Sequence, residues 1–76
     1  MMIVYLIELS GYSDKAKPYL QRAIGLYVET TSNPVFAKIW VKESSALQNA
    51  EKIEKRLSLS WPNIKATVRK AEFNLL

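Results

Sequence analysis

Val35-Phe36-Ala37-Lys38-Ile39-Trp40-Val41-Lys42 is the stretch whose reading decides the fold. Val35, Ala37, Ile39 and Val41 fall on one side of an extended chain, and Phe36, Lys38, Trp40 and Lys42 on the other. A period of two predicts a half-buried strand over 35–42. Thr31-Ser32-Asn33-Pro34 immediately before it is turn chemistry. Upstream of that turn, Gly25-Leu26-Tyr27-Val28-Glu29-Thr30 reads as another strand. Two strands joined by so few residues predict an antiparallel hairpin.

Working outward, residues 2–9 form a continuous apolar run, which suits a strand in the middle of a sheet. Ser10-Gly11-Tyr12-Ser13 punctuates the chain. Over 14–24, Asp14 or Ser13 as cap, Pro18 in the first turn and a stripe of Tyr19, Leu20, Ala23 and Ile24 predict a short helix. Ser45 with Gln48 has capping-box spacing and predicts the start of a second helix. Leu47, Ala50, Ile53 and Leu57 supply its buried stripe. Glu51, Lys52, Glu54, Lys55 and Arg56 cover its other faces, with Glu51–Lys55 as a favourable i,i+4 pair. Ser58 to Asn63 reads as a loop anchored by Trp61. Ile64, Ala66 and Val68 alternate with Lys65, Thr67 and Arg69 in a fourth strand over 64–70. The tail, Glu72-Phe73-Asn74-Leu75-Leu76, is apolar enough to pack on the domain or on a neighbouring chain.

The order strand, helix, strand, strand, helix, strand predicts an α+β fold of the ferredoxin-like βαββαβ kind. In it, both helices cover one face of a four-stranded antiparallel sheet. Right-handed crossovers give the strand order 4-1-3-2.

With 76 residues the chain makes one domain at most. It has 49% apolar and 24% charged residues, a folding composition. It contains no cysteine and no histidine. That excludes disulfides, Cys/His zinc sites, thiol catalysis and any histidine general base. No stretch approaches the roughly 20 apolar residues of a membrane span. The first residues lack a basic region and a cleavage site, which leaves a cytoplasmic location as the expectation. The net charge of +4 permits attraction to nucleic acid or to an acidic protein surface without demanding either.

In the expected fold, strand parity places Tyr27, Phe36, Lys38, Trp40, Lys65 and Arg69 on the sheet face away from the helices. Rings stack on bases and cations neutralise phosphates, so this set predicts contact with RNA or DNA. The same aromatic face could be buried in a homodimer, since small domains gain stability by associating. The first strand admits two parities. Glu8 favours the one that puts Val4, Leu6 and Glu8 on the open face, because an unpaired buried carboxylate is costly.

Two resemblances attach to particular residues. Val4-Tyr5-Leu6-Ile7-Glu8-Leu9 resembles the first-strand submotif of RNA recognition motifs, with Glu8 where that family has Asn. Phe36-Ala37-Lys38-Ile39 resembles part of its third-strand submotif, with Lys38 in place of a stacking aromatic and no basic-Gly pair before it. That resemblance implies RNA binding across the sheet. The chain is also similar in element order to the small ferredoxin-like nuclease subunit of CRISPR adaptation, and Glu8 stands where that family has an acidic residue. This second resemblance implies a dimer with a metal at Glu8.

Catalysis has little to draw on. There are seven carboxylates, and most are scattered or lie on helix faces. There is no glycine-rich phosphate loop. The expected function is a small non-enzymatic binding or modulator protein without cofactor or metal, contacting RNA or DNA. The alternative is a protein-binding inhibitor or accessory subunit of the kind small phage and plasmid genes encode. A metal-dependent nuclease centred on Glu8 comes third.

Overall fold

Strand β1 (Met2–Ser10) lies at the centre of the molecule. In the computed structural model, which describes residues 2–11, 18–24 and 27–73, it is joined by β2 (Tyr19–Ile24), β3 (Tyr27–Thr31), helix α1 (Glu43–Leu57) and β4 (Lys65–Phe73). The sheet is antiparallel throughout, in the order β3-β2-β1-β4. α1 packs across β4 and β1. The architecture is α+β with four strands and, among the described residues, one α-helix. That helix is not long and apolar enough to cross a membrane.

β1 owes its place to its unbroken apolar run. It pairs with β4 along its whole length, from Met2↔Phe73 to Ser10↔Lys65. Ile7 and Leu9 face α1 and join Leu20, Ala50, Ile53, Leu57 and Ile64 in the main core. Val4 and Leu6 have the opposite parity, yet they are buried too. A strand covered on both faces needs no polar alternation, which is why this one shows none. Glu8 shares the side of Val4 and Leu6, the parity its charge favours.

The element order differs from the ferredoxin-like expectation. The stretch 14–24 is not a helix over its described part: residues 19–24 form β2, and 14–17 lie outside the described residues. The cause is a β-bulge between Leu20 and Arg22. A bulge inserts one residue and resets the parity. Leu20 and Ala23, three apart, therefore both reach the core, and that spacing imitates a helical stripe. Pro18 has no N–H to lose, and its carbonyl accepts the Leu9 N–H at 2.7 Å. Two residues, Gly25-Leu26, lie between the paired Ile24 and Tyr27. The hairpin is thus β2–β3, not 25–30 with 35–42.

The alternating stretch 35–42 is not a strand of the sheet either. The Asn33 side chain accepts the Val35 N–H at 3.0 Å. Phe36 N–H donates to the Asn33 carbonyl and Ala37 N–H to the Pro34 carbonyl. These local bonds wind Pro34–Phe36 into a 3-10 turn and use the donors a ladder would need. Only the second half pairs. Trp40 forms an isolated antiparallel bridge to Tyr5, and Lys38 N–H donates to the Leu20 carbonyl at 2.9 Å. With one α-helix among the described residues and the order β3-β2-β1-β4, those residues show neither the expected 4-1-3-2 arrangement nor the element order behind the nuclease-subunit resemblance. Phe36 lies in the turn, so the third-strand submotif has no strand to sit on.

α1 begins at Glu43, with Lys42 as N-cap and no side-chain cap bond, so the Ser45–Gln48 capping box does not form. Glu43 in the first turn and Lys55 and Arg56 in the last complement the helix dipole. The buried stripe is Ala46, Ala50, Ile53 and Leu57. Leu47, expected in the core, is 52% exposed. Small residues at 46 and 50 let the first half of the helix sit close to the sheet. Glu54 ties the two layers, its Oε1 accepting the Ala66 N–H at 2.9 Å. The expected Glu51–Lys55 ion pair does not form; ion pairs among the described residues include Arg22–Glu29 and Arg69–Glu8.

After α1, Trp61 packs against the core as a loop anchor. Gly11, at φ 72°, closes β1 against this loop, and a Cβ there would collide with the Asn63 carbonyl. The apolar tail beyond Phe73 lies outside the described residues.

Two contrasts test this packing by urea denaturation. Leu57→Ala is expected to cost about 2–5 kcal/mol and Leu47→Ala less than about 0.5 kcal/mol. Equal losses would put Leu47 back in the core. Glu54→Ala is expected to cost about 1–2 kcal/mol because it orphans the Ala66 N–H, while Glu51→Ala changes stability by less than about 0.5 kcal/mol.

Candidate functional site

The Tyr5–Trp40 bridge decides which way the chain around Trp40 faces. Tyr5 lies opposite Lys70 and has the parity of Ile7 and Leu9, the residues under α1. Trp40, paired with it, has the same parity, and its half-buried ring packs against the main core. Lys38, two residues earlier, points the same way, with Nζ 5.5 Å from the centre of the Trp40 ring. This is a cation–π geometry, worth about 0.5–1 kcal/mol at an exposed site.

A notch of about 100 Å³ opens here between β2 and α1. Leu20, Ala23 and Ile53 form its apolar base. Trp40 and Lys38 supply one wall; Asn49, Lys52 and Arg56 supply the other. Asn49 is held in place because its Nδ2 donates to the Ser45 carbonyl at 2.8 Å. Beyond the rim, Lys52 and Arg56 also border a wide, shallow depression of about 550 Å³ with Lys55, Ser58 and Leu59. Lys52, Lys55 and Arg56 stand at i, i+3 and i+4, hence on one face of the helix. Lys52 and Lys55 have no ionic partner among the described residues.

The volume limits what fits. The notch is smaller than the roughly 150 Å³ cavity that holds benzene and well below the roughly 300–1,000 Å³ of small-molecule pockets. It can take the edge of one flat ring against Trp40 with anionic groups on the cations outside. It cannot enclose a metabolite. No group of three or more carboxylates that could hold a metal occurs among the described residues.

The six residues expected to share one face fall into three places. Lys38 and Trp40 stand at the notch, on the helix side of the sheet, opposite to the side expected for them. Phe36 is 63% exposed in the 3-10 turn. Tyr27, Lys65 and Arg69 face away from the core, as expected from their parity. Tyr27 donates from its hydroxyl to Glu29 at 3.0 Å. Arg69 is engaged by Glu8, with Nε 3.4 Å from Oε2, so the acid singled out for a metal is a salt-bridge partner.

Sequence reasoning missed Asn49, Lys52, Lys55 and Arg56 as site residues; the three cations were read as helix faces away from the buried stripe. The available signal was three cations within five positions on one helical face. No protein family, curated protein or solved structure matches this chain.

Proposed function

We propose that the protein is a small non-enzymatic binding protein that contacts single-stranded RNA or DNA, with Trp40 as the stacking platform. The observation that carries this reading is the juxtaposition, in one open notch, of a half-buried indole with Lys38, Lys52 and Arg56. A single strand offers a flat base and an anion at every step, and the notch and its rim meet both demands. Lys55 and the shallow depression extend the cationic surface for neighbouring phosphates. The net charge of +4 supports attraction at longer range. Relative to the sheet-face reading, the working residues become Trp40, Lys38, Lys52, Lys55 and Arg56. Tyr27, Lys65 and Arg69 drop out because they lie on the other side.

A second reading, recognition of another protein, rests on a different observation. Val35, Phe36, Ile39 and Val41 form a run of exposed apolar side chains, with Val41 72% exposed. Such residues clustered within one short segment suit a protein contact.

Anisotropy of a short labelled oligonucleotide separates these readings. Single-strand binding is expected at low salt, with a log–log salt slope of about −3 for four phosphate contacts. Trp40→Leu keeps an apolar side chain but removes the stacking ring, and is expected to weaken binding by about 1–3 kcal/mol. Lys52→Ala reduces the slope by about 0.7. Lys65→Ala and Phe36→Ser leave the affinity unchanged. Absence of binding at low salt, or an equal loss in Lys65→Ala, refutes the notch as the interface.

A further inference from the structure

The backbone of β4 raises a separate question. Ladder geometry assigns every backbone group of this strand to one edge or the other. Tyr5 and Leu9 send their N–H groups to Trp40 and Pro18, away from β4. The even residues of β1 therefore face β4, and their partners Thr67, Arg69 and Ala71 bond inward. Ala66, Val68, Lys70 and Glu72 present their N–H and C=O outward. The Ala66 N–H is taken by Glu54. Among the described residues, nothing pairs with the outward groups of Val68, Lys70 and Glu72. A free edge of this kind spans roughly 14 Å and is a template for another strand.

The side chains on that edge specify what the strand would be. Lys70 and Glu72 are both exposed and have the same parity, so they share a face. An edge carrying Lys and Glu two residues apart is complementary to itself when inverted. An axis at Lys70 would set that lysine against its own copy. An axis at Arg69 would call on Ala66, whose N–H is occupied. An axis at Ala71 opposes Lys70 to Glu72 twice and places a small residue where the strands come closest.

We propose that the outer edge of β4 is a self-association site, where a second copy of this chain adds its β4 antiparallel about a two-fold axis at Ala71, setting Lys70 against the partner subunit's Glu72. Four backbone hydrogen bonds, two for each Lys70–Glu72 position, join the sheets into one of eight strands. Glu54 ends the edge on one side and fixes the register. None of the notch residues belongs to β4, so the inference stands apart from the proposed function.

Sedimentation and light scattering across a concentration series test it. The expected result is a reversible species of twice the 8.7 kDa chain mass. Lys70→Glu and Glu72→Lys each oppose like charges twice and weaken self-association on the order of tenfold. The double reversal Lys70→Glu/Glu72→Lys restores it. Mixing the two single variants yields the heterodimer in preference to either homodimer. Lys70→Pro removes an outward donor without touching the β1–β4 ladder, so the fold, read by circular dichroism, is kept and the dimer is lost. A chain that stays monomeric throughout its soluble range overturns the proposal. So does a dimer indifferent to Lys70→Pro and to both reversals, which would be built on another surface.

Discussion

Two backbone hydrogen bonds between Tyr5 and Trp40, each 2.8 Å, hold the arrangement on which the rest depends. β1 needs a partner on both sides, because it is buried and its amides have no water to turn to. β4 serves one side completely. On the other, β2 pairs with β1 at Glu8↔Tyr19. The segment around Trp40 takes the position at Tyr5. That substitution turns Trp40 and Lys38 toward α1 and creates the notch. A complete β1–β2 ladder would have left the indole no place there.

α1 answers two demands at once. Its inner stripe of Ala46, Ala50, Ile53 and Leu57 lets it lie close to β1 and β4, and Glu54 locks the distance through Ala66. Its outer side carries Lys52, Lys55 and Arg56, which the inner packing orients toward the notch rim and the depression beyond it. One amphipathic helix therefore supplies both cohesion and charge. The same Glu54 contact takes up the outward N–H of Ala66 on the β4 edge.

Much of the fold was legible where a single physical signal stood alone. The unbroken apolar run of β1, the alternation of β4 and the periodic face of α1 each have one reading, and each element is present. β2 was illegible because its bulge spaces Leu20 and Ala23 like neighbours on a helix. The stretch 35–42 misled for the converse reason. Its alternation is real, and Trp40 and Lys38 do share a side, but Asn33 and Pro34 spend the first donors on a turn. Of the site, Trp40 and Lys38 could be singled out as a ring–cation pair. Lys52, Lys55 and Arg56 could not be joined to them, since nothing local states which face of a helix meets a residue twelve or more positions away.

Sequence by itself determined the chemistry: a cationic chain without cysteine or histidine, a central apolar strand, the amphipathic character of α1 and an indole beside a lysine. These follow from residue type and short-range spacing. Tertiary structure alone decided which side of the sheet carries Trp40, which ring meets which cation, and which strands lie at the edges of the sheet. Those outcomes depend on how distant backbone groups find hydrogen-bond partners. That competition is settled over the whole chain at once, not within any window of it.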